Sequence, residues 1–192
     1  TVAGVDGNTG SDTLLLQTVG ANAMLTDLDN TGADGTATGI TGSFTNITTL
    51  NASSGGTLTG LNEANKWDLD ATPTYTDAGS DVLNFSGFAN LQGHDDTDAF
   101  NVTSATTANL LGGNGVDTFD IDADLTGSVN GEAGADILDL TTLASADVTL
   151  AGSDAAGFHG SATSVSGGFD GIRVITSAAT GTLTGEDAAS TW

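Results

Sequence analysis

Apolar residues in the middle of the chain recur every 19 positions. Leu91, Leu110, Val129 and Val148 form one column at that spacing. Phe100, Phe119 and Leu138 form a second, and Val102, Ile121 and Leu140 a third, two residues further on. The pairs Phe100/Val102, Phe119/Ile121 and Leu138/Leu140 alternate with polar residues, so each pair predicts a strand with one face inward. The Leu91 column marks a second strand in every period. Gly93, Gly112 and Gly131 keep the same phase, as do Asp98, Asp117 and Asp136. Asp81, Leu83 and Phe85 extend the columns one period earlier, at a spacing of 17. A fixed period with inward columns is the pattern of stacked coils, and a two-helix coil needs about 33 residues or more. The coil is therefore β, and the expected fold is an all-β, parallel β-solenoid with coils of about 19 residues. Segments 17–60 and 150–180 keep alternation but lose the phase, which predicts longer or irregular coils there.

A longer repeat encloses the short one. Gly56-Thr57-Leu58-Thr59-Gly60, with Trp67 downstream, recurs as Gly181-Thr182-Leu183-Thr184-Gly185 with Trp192, an offset of 125. Phe44 and Ile47 meet Phe169 and Ile172 at that offset. Gly7, Gly10, Asp12, Leu14 and Leu16 meet Gly131, Gly134, Asp136, Leu138 and Leu140 at 124. Residues 1–67 then read as the second half of a unit and residues 68–192 as a complete one, in one continuous solenoid. The expected neighbours are further repeats of the same array, with head-to-tail contacts where strand edges are left open.

Composition narrows the function. The 192 residues carry 25 Asp and Glu against two Lys and Arg, a formal charge of −23. Lys66 and Arg173 cannot make the clustered positive face that nucleic acid requires, and no apolar run approaches a membrane span. With no Cys there is neither a disulfide nor a thiolate metal site. Apolar residues make up 38 % of the chain, which argues against disorder.

The period turns on Gly112-Gly113-Asn114-Gly115-Val116-Asp117-Thr118-Phe119-Asp120, which fits G-G-x-G-x-D-x-U-x at every fixed position. This segment resembles the calcium-binding nonapeptide of RTX proteins. Degenerate copies run over Gly131–Asp139, Gly93–Asn101 and Gly7–Leu15. RTX rolls carry such motifs in tandem on both edges, whereas one occurs per 19-residue coil here. Over its length the chain is also similar to the β-strand repeat arrays of giant bacterial surface proteins, the filamentous haemagglutinin-like adhesins. Segments Ser86–Leu91, Gly131–Leu140, Thr36–Gly39 and Gly181–Gly185 carry that likeness. The adhesin likeness implies a right-handed β-solenoid in a bacterial protein that is extracellular, either secreted or held at the cell surface. The RTX resemblance implies Ca²⁺ at the motif turns. The ligand candidates are Asp98, Asp117 and Asp136 with Gly112, Gly115, Gly131 and Gly134, and more weakly Asp12 and Asp81. Ca²⁺ takes 6–8 oxygen ligands and would neutralise carboxylates stacked about 5 Å apart. The competing reading is that each Asp accepts a hydrogen bond from the next turn and needs no ion.

Other residues carry weaker signals. His94, beside Asp95 and Asp96, reads as a degenerate turn more readily than as a metal or acid–base group. His159 reads as a loop residue. Asp120, Asp122 and Asp124 alternate, so they are expected on one outward face of a strand. Trp67 and Trp192 read as structural residues at matched unit positions, the alternative being an exposed carbohydrate platform. Polysaccharide-cleaving β-helices pair carboxylates with Arg or Lys, and only two such cations exist here. The expectation is therefore a non-enzymatic structural module of a surface fibre or adhesin stalk, stiffened by Ca²⁺. The alternatives are an RTX-like segment that assists secretion and folding, and a solenoid that binds or cleaves carbohydrate or another surface ligand.

Overall fold

The computed structural model describes residues 2–186. Among them there is no helix; the regular structure is one open, mixed sheet of 22 strands. The all-β expectation holds. The purely parallel one does not, because antiparallel steps interrupt the parallel pairing.

Two ladders of paired strands account for most of the sheet. The first runs from Val5 to Phe44, then antiparallel through Gly35 and Leu25 to Ala23, which pairs with Leu58. It continues in parallel through Leu91, Leu110, Val129 and Phe169. Antiparallel steps through Gly160 and the strand Val148–Ser153 then bring it to Leu183. The second ladder starts in parallel from Leu14 through Leu50 to Phe85. It turns antiparallel through Tyr75 to Trp67, then parallel again through Phe100, Phe119, Leu138 and Ile175.

The chain alternates between the ladders. From Asn90 to Leu140 each visit is a single strand, and this produces the 19-residue register of Leu91 with Leu110 and Phe100 with Phe119. Thr13–Leu16, Thr49–Ala52 and Thr57–Thr59 are single visits too, but three visits are three-stranded antiparallel meanders. The meanders comprise Ala23–Asp29, Gly32–Ala37 and Phe44–Ile47; then Lys66–Leu69, Thr74–Thr76 and Val82–Ser86; then Val148–Ser153, Phe158–Ala162 and the long strand Val165–Ser177. Two of the three fall in the segments where the sequence loses its phase. The third corrects the placement of Asp81, Leu83 and Phe85. They share the ladder of Phe100 but are separated from it by the strands of Tyr75 and Trp67.

Local chemistry explains why the chain reverses at these points. The Asp29 carboxylate accepts from the Thr31 N–H at 2.7 Å, Asp70 from Thr72 at 2.7 Å and Asp154 from Ala156 at 2.8 Å. Such Asx turns offer the backbone an alternative to continued strand. Gly32 follows the first of them at φ +131°, a conformation that a β-carbon disfavours.

Inward residues of both ladders fill one apolar core. Leu58, Leu91, Leu110 and Val129 line one side, and Trp67, Phe100, Phe119 and Leu138 the other; all are buried. The Trp67 ring stacks on Phe100 with centroids 5.6 Å apart, and Phe100 on Phe119 at 5.1 Å. Tyr75 and Phe85 meet the Trp67 ring edge-on at 4.7 and 5.6 Å. Each aromatic pair adds about 0.5–1.5 kcal/mol beyond the burial of its area. Trp67 is thus a core residue and no exposed platform, while its sequence counterpart Trp192 lies outside the described residues.

Strand pairing recurs with the long repeat. Ala23 pairs with Ala37 and Leu25 with Gly35; 125 residues on, Val148 pairs with Ala162 and Leu150 with Gly160. The register slips between Leu25 and Asp27, and again between Leu150 and Gly152. Ala33 with Ile47 corresponds to Phe158 with Ile172, and Ala23 with Leu58 corresponds to Val148 with Leu183.

Candidate functional site

Each motif turn opens on a glycine and closes on an aspartate at, or one residue before, the start of the next strand. Asp98, Asp117 and Asp136 are all 0 % exposed, which is unusual for a carboxylate. Hydrogen bonds between successive coils hold them in place. The Asp98 N–H donates to Asp117 Oδ1 at 2.8 Å, and the Asp117 N–H donates to Asp136 Oδ1 at 2.9 Å. At the near end the Asn65 N–H donates to Asp98 Oδ1 at 3.1 Å. The result is a ladder in which each carboxylate caps the main chain of the coil before it.

Only half of each carboxylate is satisfied this way. The Oδ2 atoms of Asp98, Asp117 and Asp136 are buried without a hydrogen-bond partner, and so is that of Asp12. Those of the three ladder residues lie against the opening glycines: a β-carbon on Gly93, Gly112 or Gly131 would collide with Oδ2 of Asp98, Asp117 or Asp136 respectively. Main-chain carbonyls of Gly112, Gly131 and Gly171 approach the same three glycines from the adjoining coil. Gly115 and Gly134 serve the stacking itself, since a β-carbon on either would strike a carbonyl oxygen of the preceding coil.

Burial pushes the Asp98 and Asp117 carboxyls up from 3.8 to about 7, and the neighbouring Asp117 and Asp136 charges push the same way. Burial raises Asp136 too, while the bond from the Asp117 N–H and the nearby Arg173 charge act against it. Arg173 is fixed there by donation from Nε to the Gly134 carbonyl at 2.6 Å.

A donor set of carboxylate oxygens and main-chain carbonyls suits a hard cation such as Ca²⁺, and the unpartnered Oδ2 atoms fit it. Among the described residues no three His, Asp or Glu side chains converge on one point. A cation here would draw on Oδ2 atoms together with the glycine carbonyls.

The remaining candidates lie apart from this ladder. Asp12 occupies the position equivalent to Asp136 in the first unit, where its N–H donates to Thr48 Oγ1 at 2.9 Å. Asp81 sits in the turn of the second meander, its N–H donating to Asp77 Oδ1 at 2.7 Å, and it does not stack with Asp98. His94 holds φ +104° in the turn, with Nδ1 3.8 Å from Asp95. His159 lies in a strand opposite Gly152 and not in a loop. The strand carrying Asp120 ends at Ile121, so Asp122 and Asp124 fall between it and the strand that begins at Leu125, and the three do not share a strand face. Asp120 stands instead between Asn101 and Asp139 across the sheet. Its carboxyl is raised to about 6 by burial and by Asp122.

Asn65 completes the ladder, and sequence reasoning missed it. The signal was available: Asn65 precedes Trp67 by two residues, as Asp98 precedes Phe100 and Asp117 precedes Phe119. Aligning on aromatics would have found it where aligning on aspartates led to Asp81. No family model matches the chain, and no curated protein or solved structure matches it.

Proposed function

We propose that the chain is a structural repeat module of an extracellular bacterial surface fibre or adhesin stalk, built as a right-handed β-solenoid whose coils carry meander insertions. The recurrence of strand pairing at the 125-residue offset is the observation that supports this reading, since each unit hands its ladders on to the next in the same register. Function is then mechanical. Continuous hydrogen-bonded ladders and a single apolar core resist extension, and the −23 charge keeps the fibre soluble. Lys66 is engaged by Asp68 at 2.8 Å and Arg173 by main-chain carbonyls, so neither cation stands free to hold an acidic sugar. The reading is accordingly non-catalytic.

Pulling a tandem array by its ends tests the proposal. Each unit of 125 residues releases roughly 400 Å of contour as it unravels. Unfolding at negligible force, or in steps unrelated to the unit, would overturn it.

A second reading has its own support. The unpartnered Oδ2 atoms favour a calcium-loaded, RTX-like segment, in which the ion stiffens the motif coils of the same module. Calorimetric titration with Ca²⁺ decides it: heat of binding with a raised melting temperature supports the ion, and neither effect removes it.

A further inference from the structure

The two ladders do not end level. On the far side of Phe169 the first ladder goes on through the strands Phe158–Ala162 and Val148–Ser153 to Leu183. The second stops, among the described residues, at the Ile175 strand, which is level with Phe169. Three rungs of the first ladder therefore have no counterpart opposite them among the described residues. The gap is a groove of about 330 Å³ lined by Val148, Leu150, Phe158, Ile175, Ala178 and Leu183.

The first unit shows what fills the equivalent space. There the rungs Gly32–Ala37, Ala23–Asp29 and Thr57–Thr59 stand opposite the meander Lys66–Ser86, and Val82–Ser86 packs against the first two of them. That meander pairs in parallel with the Leu50 strand through Phe85, and it brings Trp67, Tyr75 and Phe85 inward. Leu58 is 0 % exposed in that setting, whereas its repeat counterpart Leu183 is 64 % exposed. At the same offset, a counterpart of the meander would begin at residue 191 of the 192-residue chain.

We infer that this groove is an acceptor site for a three-stranded β-meander of the Lys66–Ser86 type, supplied by a following repeat unit. The inference rests on the repeat-module reading and specifies its joint. Successive units do not meet on flat faces. The first ladder of one unit overhangs, and the aromatic meander of the next slots beneath it, pairing with Val174–Ser177. An overlap of this kind couples the cores of adjacent units, so a fibre has no weak plane at the unit boundary.

The test appends the sequence Asp68–Leu91 directly after Trp192 of the full chain, in register with the repeat. Amide hydrogen exchange and thermal melting are compared with the same chain carrying a glycine–serine tail of equal length. A second control is an appended segment with Tyr75→Ser and Phe85→Ser. Docking predicts at least tenfold slower exchange at Val174–Ser177 and Leu183–Thr184 and a higher melting temperature, both lost in the serine control. Exchange and melting identical to the tailed control overturn the inference. The native meander Lys66–Ser86 serves as an internal reference. If it is protected while the appended copy is not, the joint alone is wrong; if neither is protected, the repeat-module reading fails with it.

Discussion

Replacing Asp117 by asparagine separates the charge of the ladder from its hydrogen bond. The substitution Asp117→Asn retains an Oδ1 that accepts from the Asp98 N–H, but the side chain no longer ionises. In the wild type, burial and the Asp136 charge lift the Asp117 carboxyl from 3.8 to about 7. The unfolded chain therefore releases this proton near pH 4, and the folded chain holds it to near pH 7. Between those values the folded state binds more protons, so stability falls as pH rises. A separation of about three pH units corresponds to roughly 4 kcal/mol from this one site. The variant lacks that dependence. It instead buries an amide nitrogen where Oδ2 has no partner, at about 1–3 kcal/mol and at every pH. Urea denaturation in chelator should show the variant gaining roughly 2–3 kcal/mol on wild type between pH 5 and pH 8, and reaching equal or greater stability at pH 8. Asp98, also raised to about 7, leaves a shallower slope in the variant. A wild-type–variant difference that stays constant from pH 5 to 8 would refute an ionisation-strained ladder.

Other substitutions probe separate parts of the account. Phe119→Ala removes the end of the aromatic stack from a fully buried site and should cost about 3–5 kcal/mol by denaturant titration. A loss under about 1 kcal/mol would mean that the stack is not core. Gly134→Ala drives a β-carbon into the Gly115 carbonyl of the coil before it, so it should lower the melting temperature and loosen amide exchange around Gly115. His94→Gly restores the glycine of the motif at a φ of +104°, where a non-glycine residue costs of order 1–3 kcal/mol. It should raise the melting temperature, and a decrease would show that the imidazole has a role in the turn.

The parts of the fold legible in the sequence are those where each visit to a ladder is one strand. There the inward columns and the motif glycines repeat at a constant spacing, and the structure pairs Leu91 with Leu110 and Phe100 with Phe119 in that register. The meanders were not legible, because a hairpin preserves inward–outward alternation while reversing direction. Leu83 and Phe85 therefore kept an apolar pattern that looked like one more coil. The turn chemistry that marks the reversal, at Asp70 with Pro73 and at Asp29 with Gly32, is local and carries no period. The candidate site was legible in Asp98, Asp117 and Asp136, which the structure stacks, and not in Asp81, which it sets apart. Its completion by Asn65, and the half-satisfied state of each carboxylate, depend on which main-chain groups meet across coils, and residue spacing alone does not carry that.

The central claim is that the chain advances as a regular ladder, one repeat after another. From Leu14 the second ladder passes Leu50, Phe85, Tyr75, Trp67, Phe100 and Phe119 to Leu138, seven steps for one repeat. At about 4.8 Å per step this is an advance of roughly 34 Å. Small-angle X-ray scattering on the chain and on the chain fused in register to a further copy of residues 68–192 measures it directly. The account predicts a maximum dimension longer by about 34 Å with an unchanged cross-sectional radius. A thicker particle, or an increase set by a flexible joint between two separate bodies, would contradict it.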